Sequence, residues 1–453
     1  MKRRLLSFLA AAAILLSGIP AAQAAAFTDI EGHWAQEQIE RAVDLGLFSG
    51  VSDTEFNPDG KLTRAMFVVV LAKYSGYDAD AYTSSTFRDV PKGSWYAAAV
   101  EWAVQNGVVS GTSKNTFAPN QVITREQIAV ILVNYANYTG TVLPRIRNGK
   151  LFADSGRCAN YALDAVYTLY RSGIISGVGS NRFDPTGSAT RAQCAVILCS
   201  YIDACAAGYT DSEQVELVNH RGYNTEAPEN TLPAYELSAQ KGYTYVEADV
   251  QYTRDNKPVL LHDGKIDRTS DGTGNVKDFT YEQLLQYDFG SWKSDKYKGT
   301  KIPLFTDFIK LCRQKGLRPY IELKSSMTDS QVKTLIDGVR NEGMLDYVVW
   351  ISFYADNLKK VQKYCDTATL DFLTGDADAD DVSTAAALKS SKNQVYLGAR
   401  FSNLTASDRA YCLRKGVQLC VWTVNNKADA VRQSNTSALS ITSDSIVKQT
   451  LYP

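Results

Sequence analysis

Of the three histidines in this 453-residue chain, two close apolar runs: His220 in "VNHRG" and His262 in "PVLLHD". Histidine is the side chain whose charge changes near neutral pH, which suits it to moving protons. Carboxylates sit in similar places. Glu247 and Asp249 in "EADV" stand two apart, so an extended backbone turns both to one face. Glu322 and Lys324 in "IELK" repeat that spacing. Three carboxylates gathered from two strands repel each other unless a cation neutralises them. Ligation by oxygen alone favours a hard ion, Ca²⁺ or Mg²⁺.

The elements that must position these groups begin near Val215. From there short β-branched runs alternate with helical segments: "VELVN", "YTYVEADV", "PVLLHD", "RPYIELK", "YVVWISF", "LDFLTG", "VYLGAR", "CVWTV" and "ALSITSD". Between "EADVQYT", which continues the second run, and "PVLLHD" lies only Arg254-Asp255-Asn256-Lys257, too short for a crossover helix. Those two runs predict a hairpin, with the third as a small insertion after strand 2, and eight parallel strands remain. Eight is the number that closes a TIM barrel, an α/β fold whose chemistry sits at the carboxyl ends of the strands. Those ends carry His220 and Arg221, Glu247 and Asp249, Glu322 and Lys324, then Trp422 and Asn425, while His262 ends the inserted arm.

The series "HRG…PENT", "EADV", "PVLLHD", "DRTSDGTG", "IELK" and "VWTVN" resembles, in order, the motifs of the glycerophosphodiester phosphodiesterase family over about residues 215–453. The resemblance implies a metal-dependent TIM barrel that cleaves glycerophosphodiesters to glycerol phosphate and an alcohol. Carried over position by position, it implies Glu247, Asp249 and Glu322 as metal ligands, His220 and His262 as the acid/base pair, and Arg221 and Lys324 as holders of the phosphate. Ala248 stands where the family commonly has leucine. The chemistry suits the residue types. A phosphodiester is anionic, so the cation, Arg221 and Lys324 offset charge that grows toward the transition state. Each imidazole proton transfer is worth ~10²–10⁴-fold. Either histidine can serve as the base, and either water or the glycerol hydroxyl as the nucleophile. Trp422 is read as barrel filling or as a wall for the glycerol carbons. Glu229 is read as ordering the site or capping the helix that starts near Thr231, and His33 as structural.

Upstream, the chain repeats itself. "GLFSG", "GVVSG" and "GIISG" each precede a Phe-x-Pro, then a Thr-Arg: Thr63-Arg64, Thr124-Arg125 and Thr190-Arg191. Each unit opens with Phe-x-Asp (Phe27/Asp29, Phe87/Asp89, Phe152/Asp154) and carries an aromatic, Trp34, Trp95 or Tyr161, before its first helix. Spacings such as Ala35/Ile39/Ala42 predict that helix, and glycine ends it. The threonine caps a second helix, with Gln127 and Gln193 completing capping boxes. No helix pair buries its apolar stripe alone, so the three units predict one all-α assembly. They resemble S-layer homology (SLH) domains over about residues 27–203, which implies non-covalent attachment to secondary cell-wall polysaccharide. An arginine at a helix N-terminus offers a fork of donors to an anionic sugar. Arg64, Arg125 and Arg191 are therefore candidate polysaccharide ligands, and Trp34 and Trp95 either contact sugar or fill the core. The family's usual "TRAE" is "TRAM", "TREQ" and "TRAQ" here.

A basic "MKRR", an apolar run and Ala22-Gln23-Ala24 predict a signal peptide over residues 1–24. SLH repeats are expected at 25–80, 84–142 and 149–205, and the barrel at 213–453. No later stretch has the ~20 apolar residues of a transmembrane span. With 48 Lys+Arg against 49 Asp+Glu, nothing in the charge calls for nucleic acid. The eight cysteines, all from Cys158 onward, lack any CxxC or Cys/His cluster and read as buried thiols or a few bridges rather than zinc ligands. The expectation is an exported enzyme of the bacterial surface, cell wall or S-layer, acting on a glycerophosphodiester or a glycerol-phosphate polymer. Its rivals are a surface scaffold with a silent barrel and a phospholipase acting on intact lipid.

Overall fold

The computed structural model describes residues 27–207 and 214–452, so the expected signal peptide falls outside the described residues. Contacts divide the chain into two units. One holds residues up to Tyr138 with 174–176 and 184–207; the other holds 139–173, 177–183 and the chain from Gly208 on.

The helices of the repeats are α1 (Gln36–Asp44), α2 (Arg64–Tyr74), α3 (Ala97–Gln105), α4 (Arg125–Thr139), α5 (Asn160–Arg171) and α6 (Arg191–Ala206). Of these, α5 belongs to the second unit. The residues that mark the repeat also build it. Thr63 accepts from the Met66 N–H, and Thr190 with Gln193 forms a complete capping box, as Thr124 does with Gln127. Asp29 takes the backbone N–H groups of Phe56 and Asn57, and Asp89 those of Phe117 and Ala118. Each aspartate thus clamps a turn whose second residue has left-handed backbone, φ 59° at Asn57 and 58° at Ala118. Isolated antiparallel bridges accompany the helices and run round the first unit as a ring: Thr63 with Val122, Thr124 with Ser188, Lys61 with Thr190.

In the second unit the strands are β1 (Glu216–Asn219), β2 (Tyr245–Tyr252), β3 (Pro258–Leu260), β4 (Arg318–Leu323), β5 (Val349–Ser352), β6 (Thr369–Thr374), β7 (Val395–Arg400), β8 (Gln418–Trp422) and β9 (Ser440–Ser443). They hydrogen-bond in the order β1-β9-β8-β7-β6-β5-β4-β2-β3, and β1 also pairs with β2, which closes an eight-stranded parallel barrel. Only β3 runs antiparallel, paired with β2 as the expected insertion. Helices α7 (Leu232–Gln240), α8 (Phe305–Lys315), α9 (Asp329–Asn341), α10 (Ala355–Tyr364), α11 (Ala379–Ala387), α12 (Ala406–Lys415) and α13 (Lys427–Ser434) cross between successive barrel strands. Alternation does the sorting. Val246, Ala248 and Val250 of β2 and Ile321 and Leu323 of β4 point outward into a large apolar cluster with the helices. Val218, Tyr320, Ile351 and Leu373 fill the interior.

The amino ends of the strands receive chain from far upstream. Val142 joins the apolar cluster of Val215, Leu217, Tyr243 and Ile441. The Leu143 N–H donates to the buried Asn435 side chain, whose amide returns a bond to the Thr141 carbonyl, both at 2.8 Å. Arg145 donates to the carbonyls of Ser434, Ala438 and Leu439. From α5, Arg171 donates to the Thr436 carbonyl and Asp164 accepts from the Ser437 N–H. The loop that leads into β9 thus has its backbone groups satisfied by residues 141–171.

Candidate active site

Strand register brings the acidic residues together. Asp249 on β2 is directly opposite Glu322 on β4, and Glu247 lies two residues before Asp249 on the same inward face. All three are buried, and one oxygen from each lies within 4.8 Å of the others. Their partners come from the loop after β1. Asn230, in "PENT", donates to Asp249 Oδ2 at 2.7 Å while its own oxygen accepts from the Asp249 N–H and the Tyr235 hydroxyl. The Arg221 N–H donates to Glu247 Oε2. Arg221 can do so because the turn there is tight: its φ is 55°, and a Cβ on Gly222 would meet Ala234 at 2.7 Å. Lys324 Nζ lies 2.8 Å from Glu322 and 3.3 Å from Asp249, and Arg221 Nε lies 3.3 Å from Asp249.

Burial, with the charges of Asp249 and Glu322, drives the Glu247 carboxyl well above its ordinary range. Burial and the Asp249 charge push Glu322 up to about 7. Burial would raise Asp249 too, but Lys324, Arg221 and His262 hold it low. Two cations are therefore too few for three carboxylates. Glu247 Oε1 and Asp249 Oδ1 are buried without a hydrogen-bond donor, the latter having only the Lys324 ammonium nearby. Such orphaned oxygens, in an all-oxygen set, fit a divalent hard cation.

The histidines flank this cluster. His220 follows β1 and His262 follows β3. The Nδ1 of His220 lies 2.8 Å from Asp444, at the end of β9, and its Nε2 lies 4.0 Å from Glu247. Amides of Asn224 and Asn425 also bind Asp444. Burial would raise that carboxyl, but His220 and the two amides hold it at about 2. The Nδ1 of His262 lies 2.7 Å from Asp263, which Arg268 holds from the other side. Burial lowers the pKa of His262, with Asp249 partly opposing. With Nδ1 occupied in both rings, Nε2 is the nitrogen left for chemistry.

His220, Arg221, Glu247, His262, Glu322, Lys324 and Trp422 line one cavity of about 310 Å³ at the carboxyl ends of the strands. Its floor includes Asp371, whose carboxyl burial pushes up to about 7. Glu229 makes no cap: it accepts from Arg221 and doubly from Arg268, so "PENT" and "DRTSDGTG" are tied together. Asp444, Asp263, Asn230, Arg268 and Asp371 were not singled out from the sequence. Asp263 directly follows His262 and Asp444 ends the last strand run, so the strand-end rule could have flagged both.

In the repeats, Trp34 and Trp95 are 65% and 63% exposed and so fill no core. The arginines turn inward. Arg64 donates to the carbonyls of Phe117 and Ser110, Arg125 to that of Ser176, and Arg191 to those of Phe56 and Ser49. Each reaches the "SG" turn of the next repeat, and the third reaches back to the first. All eight cysteines are free thiols. Among the described residues no helix is long and apolar enough to cross a membrane.

Known proteins resemble both parts. The S-layer homology domain matches residues 26–66, 86–129 and 151–195. The chain is 32% identical over 193 residues to exoglucanase XynX of Acetivibrio thermocellus, which covers 42% of this chain but only 18% of that one. It is 30% identical over 237 residues to the glycerophosphodiester phosphodiesterase of Bacillus subtilis (strain 168), covering 49% of this chain and 80% of that one. A solved glycerophosphodiester phosphodiesterase of Agrobacterium tumefaciens is 26% identical and covers 52% of this chain and 98% of its own, at a TM-score of 0.43. The glycerophosphoryl diester phosphodiesterase family matches residues 220–448, half of the chain. Carrying three S-layer homology domains ahead of its barrel, the chain belongs to the glycerophosphoryl diester phosphodiesterase family.

Proposed function

We propose that this chain is an exported, wall-held enzyme that hydrolyses glycerophosphodiesters to glycerol phosphate and an alcohol. The observation that carries the reading is the convergence, on one cavity, of three buried carboxylates with two aspartate-buttressed histidines. Glu247, Asp249 and Glu322 are the residues that would hold a divalent cation, Ca²⁺ or Mg²⁺. When bound, such an ion supplies positive charge to an anionic phosphodiester. Arg221 and Lys324, beside the carboxylates, offset the charge that builds on the phosphoryl oxygens. One imidazole takes a proton from the attacking oxygen as it bonds to phosphorus; that oxygen belongs to water, or to the glycerol hydroxyl, in which case water then opens the cyclic phosphate. The other imidazole gives a proton to the departing alkoxide as its P–O bond breaks. Asp444 and Asp263 fix the tautomer of each ring. Trp422 walls the cavity beside them.

Glycerol phosphate release from glycerophosphoglycerol, with Ca²⁺ or Mg²⁺ supplied, tests the reading against His220→Ala. Equal rates in the two proteins would remove the enzyme assignment and leave a scaffold.

We further propose that the repeats bind secondary cell-wall polysaccharide through Trp34 and Trp95. Exposed indole faces suit the C–H surface of a sugar. Arg64, Arg125 and Arg191, at their helix starts, are the proposed donors to its anionic groups, and each also fixes an "SG" turn.

A further inference from the structure

One wall of the catalytic cavity carries groups with no part in the chemistry above: Arg400, Phe353 and the outer face of Trp422. Arg400 ends β7 opposite Trp422 at the end of β8. Its guanidinium carbon lies 5.2 Å from the centre of the Trp422 ring, and Phe353 meets that ring edge-on at 5.8 Å. Arg221 and Lys324 are each held by carboxylates. Arg400, by contrast, has no carboxylate or hydrogen-bond acceptor for its side chain among the described residues. A ligand anion gains most from such a cation, because no existing ion pair has to be broken. Aromatic faces alone would welcome a quaternary ammonium. Here Arg400 already covers the Trp422 ring and repels a second cation.

We propose that this wall selects phosphodiesters carrying a further phosphate one polyol unit, a glycerol or an inositol, away from the scissile one, over neutral or cationic esters. This deepens the phosphodiesterase reading and rests on it. The glycerol carbons lie against Trp422 and Phe353, and the second phosphate meets the guanidinium fork of Arg400. A wall polymer of glycerol phosphates supplies that chemistry, and so does a deacylated phosphoinositide.

The test compares kcat/KM of the full-length protein on four substrates: a glycerol-phosphate trimer, glycerophosphoinositol 4-phosphate, glycerophosphoglycerol and glycerophosphocholine. With a charge-assisted pair at stake, the trimer is expected to exceed glycerophosphoglycerol by about tenfold, with glycerophosphocholine slowest. The trimer-to-glycerophosphoglycerol ratio should fall toward one in Arg400→Ala and below one in Arg400→Glu, and Arg400→Lys should keep part of it. A ratio cancels any loss of folded protein. Faster turnover of the trimer than of the inositol phosphate identifies the polymer as the source, and the reverse order the headgroup. A wild-type ratio at or below one, or a ratio unmoved by Arg400→Glu, overturns the proposal while leaving the phosphodiesterase reading intact. Failure to cleave any of the four removes both.

Discussion

Removing the proposed cation should make the stability of this protein depend on pH in a way that the loaded protein does not. Without an ion, Glu322 is pushed from its ordinary 4.5 to about 7 by burial and the Asp249 charge. A carboxyl whose folded pKa exceeds its unfolded value holds its proton more tightly when folded, so acid favours folding. As pH rises from 4.5 through about 7, the folded state must ionise Glu322 against its neighbours and loses stability. At about 1.36 kcal/mol per pKa unit, the loss is about 3 kcal/mol. Glu247, raised by the same causes, adds to it. For a barrel of this size that corresponds to roughly 6–12 °C in melting temperature. Thermal unfolding followed by circular dichroism, with EDTA or with excess Ca²⁺ or Mg²⁺, at pH 5 and pH 8, measures it. EDTA should matter little at pH 5 and strongly at pH 8. An EDTA effect of equal size at both pH values, or none at pH 8, would refute the reasoning that these carboxylates await a cation.

Other outcomes follow from particular contacts. Asp444→Asn and Asp263→Asn should each lower kcat by roughly 10–100-fold with a smaller change in KM, because each aspartate orients a ring rather than touching substrate; steady-state kinetics on glycerophosphoglycerol reads both. Trp34→Ala combined with Trp95→Ala should abolish retention on purified cell walls in a sedimentation assay while leaving the circular dichroism spectrum unchanged. Arg64→Ala should instead lower the melting temperature, since the buried Phe117 carbonyl and, in a part-buried bond, the Ser110 carbonyl lose a charged donor worth about 1.5–3 kcal/mol. Arg145→Ala should destabilise the barrel by a similar amount, about 2 kcal/mol, visible as a lower urea midpoint.

The barrel was legible because its strands are short, β-branched and separated by helical segments, and because only five residues part β2 from the inserted arm. The carboxylate cluster was legible because period-two spacing decides faces, and β2 and β4 each show it. What stayed hidden depends on partners remote in sequence. His220 and Asp444 are 224 residues apart, and an aspartate after a strand looks like any loop aspartate. The arginines of the repeats stand at the helix starts that the sequence marks, but the carbonyls they bind lie in another repeat and carry no sign in the sequence. Likewise nothing in "TVLPRIR", between the second and third repeats, points to the barrel. Only the fold shows Val142 joining a core and Arg145 serving the loop before β9.

That last feature bears on how such an enzyme leaves a cell surface. The chain passes between its two units at 138/139, 173/174, 176/177, 183/184 and 207/208, not once. A protease that nicks residues 208–213 therefore severs a peptide bond without liberating a catalyst. The fragment upstream of the nick still supplies Val142, Arg145, Asp164 and Arg171 to the amino ends of the barrel strands. Releasing the barrel from the repeats then requires unfolding or several cuts.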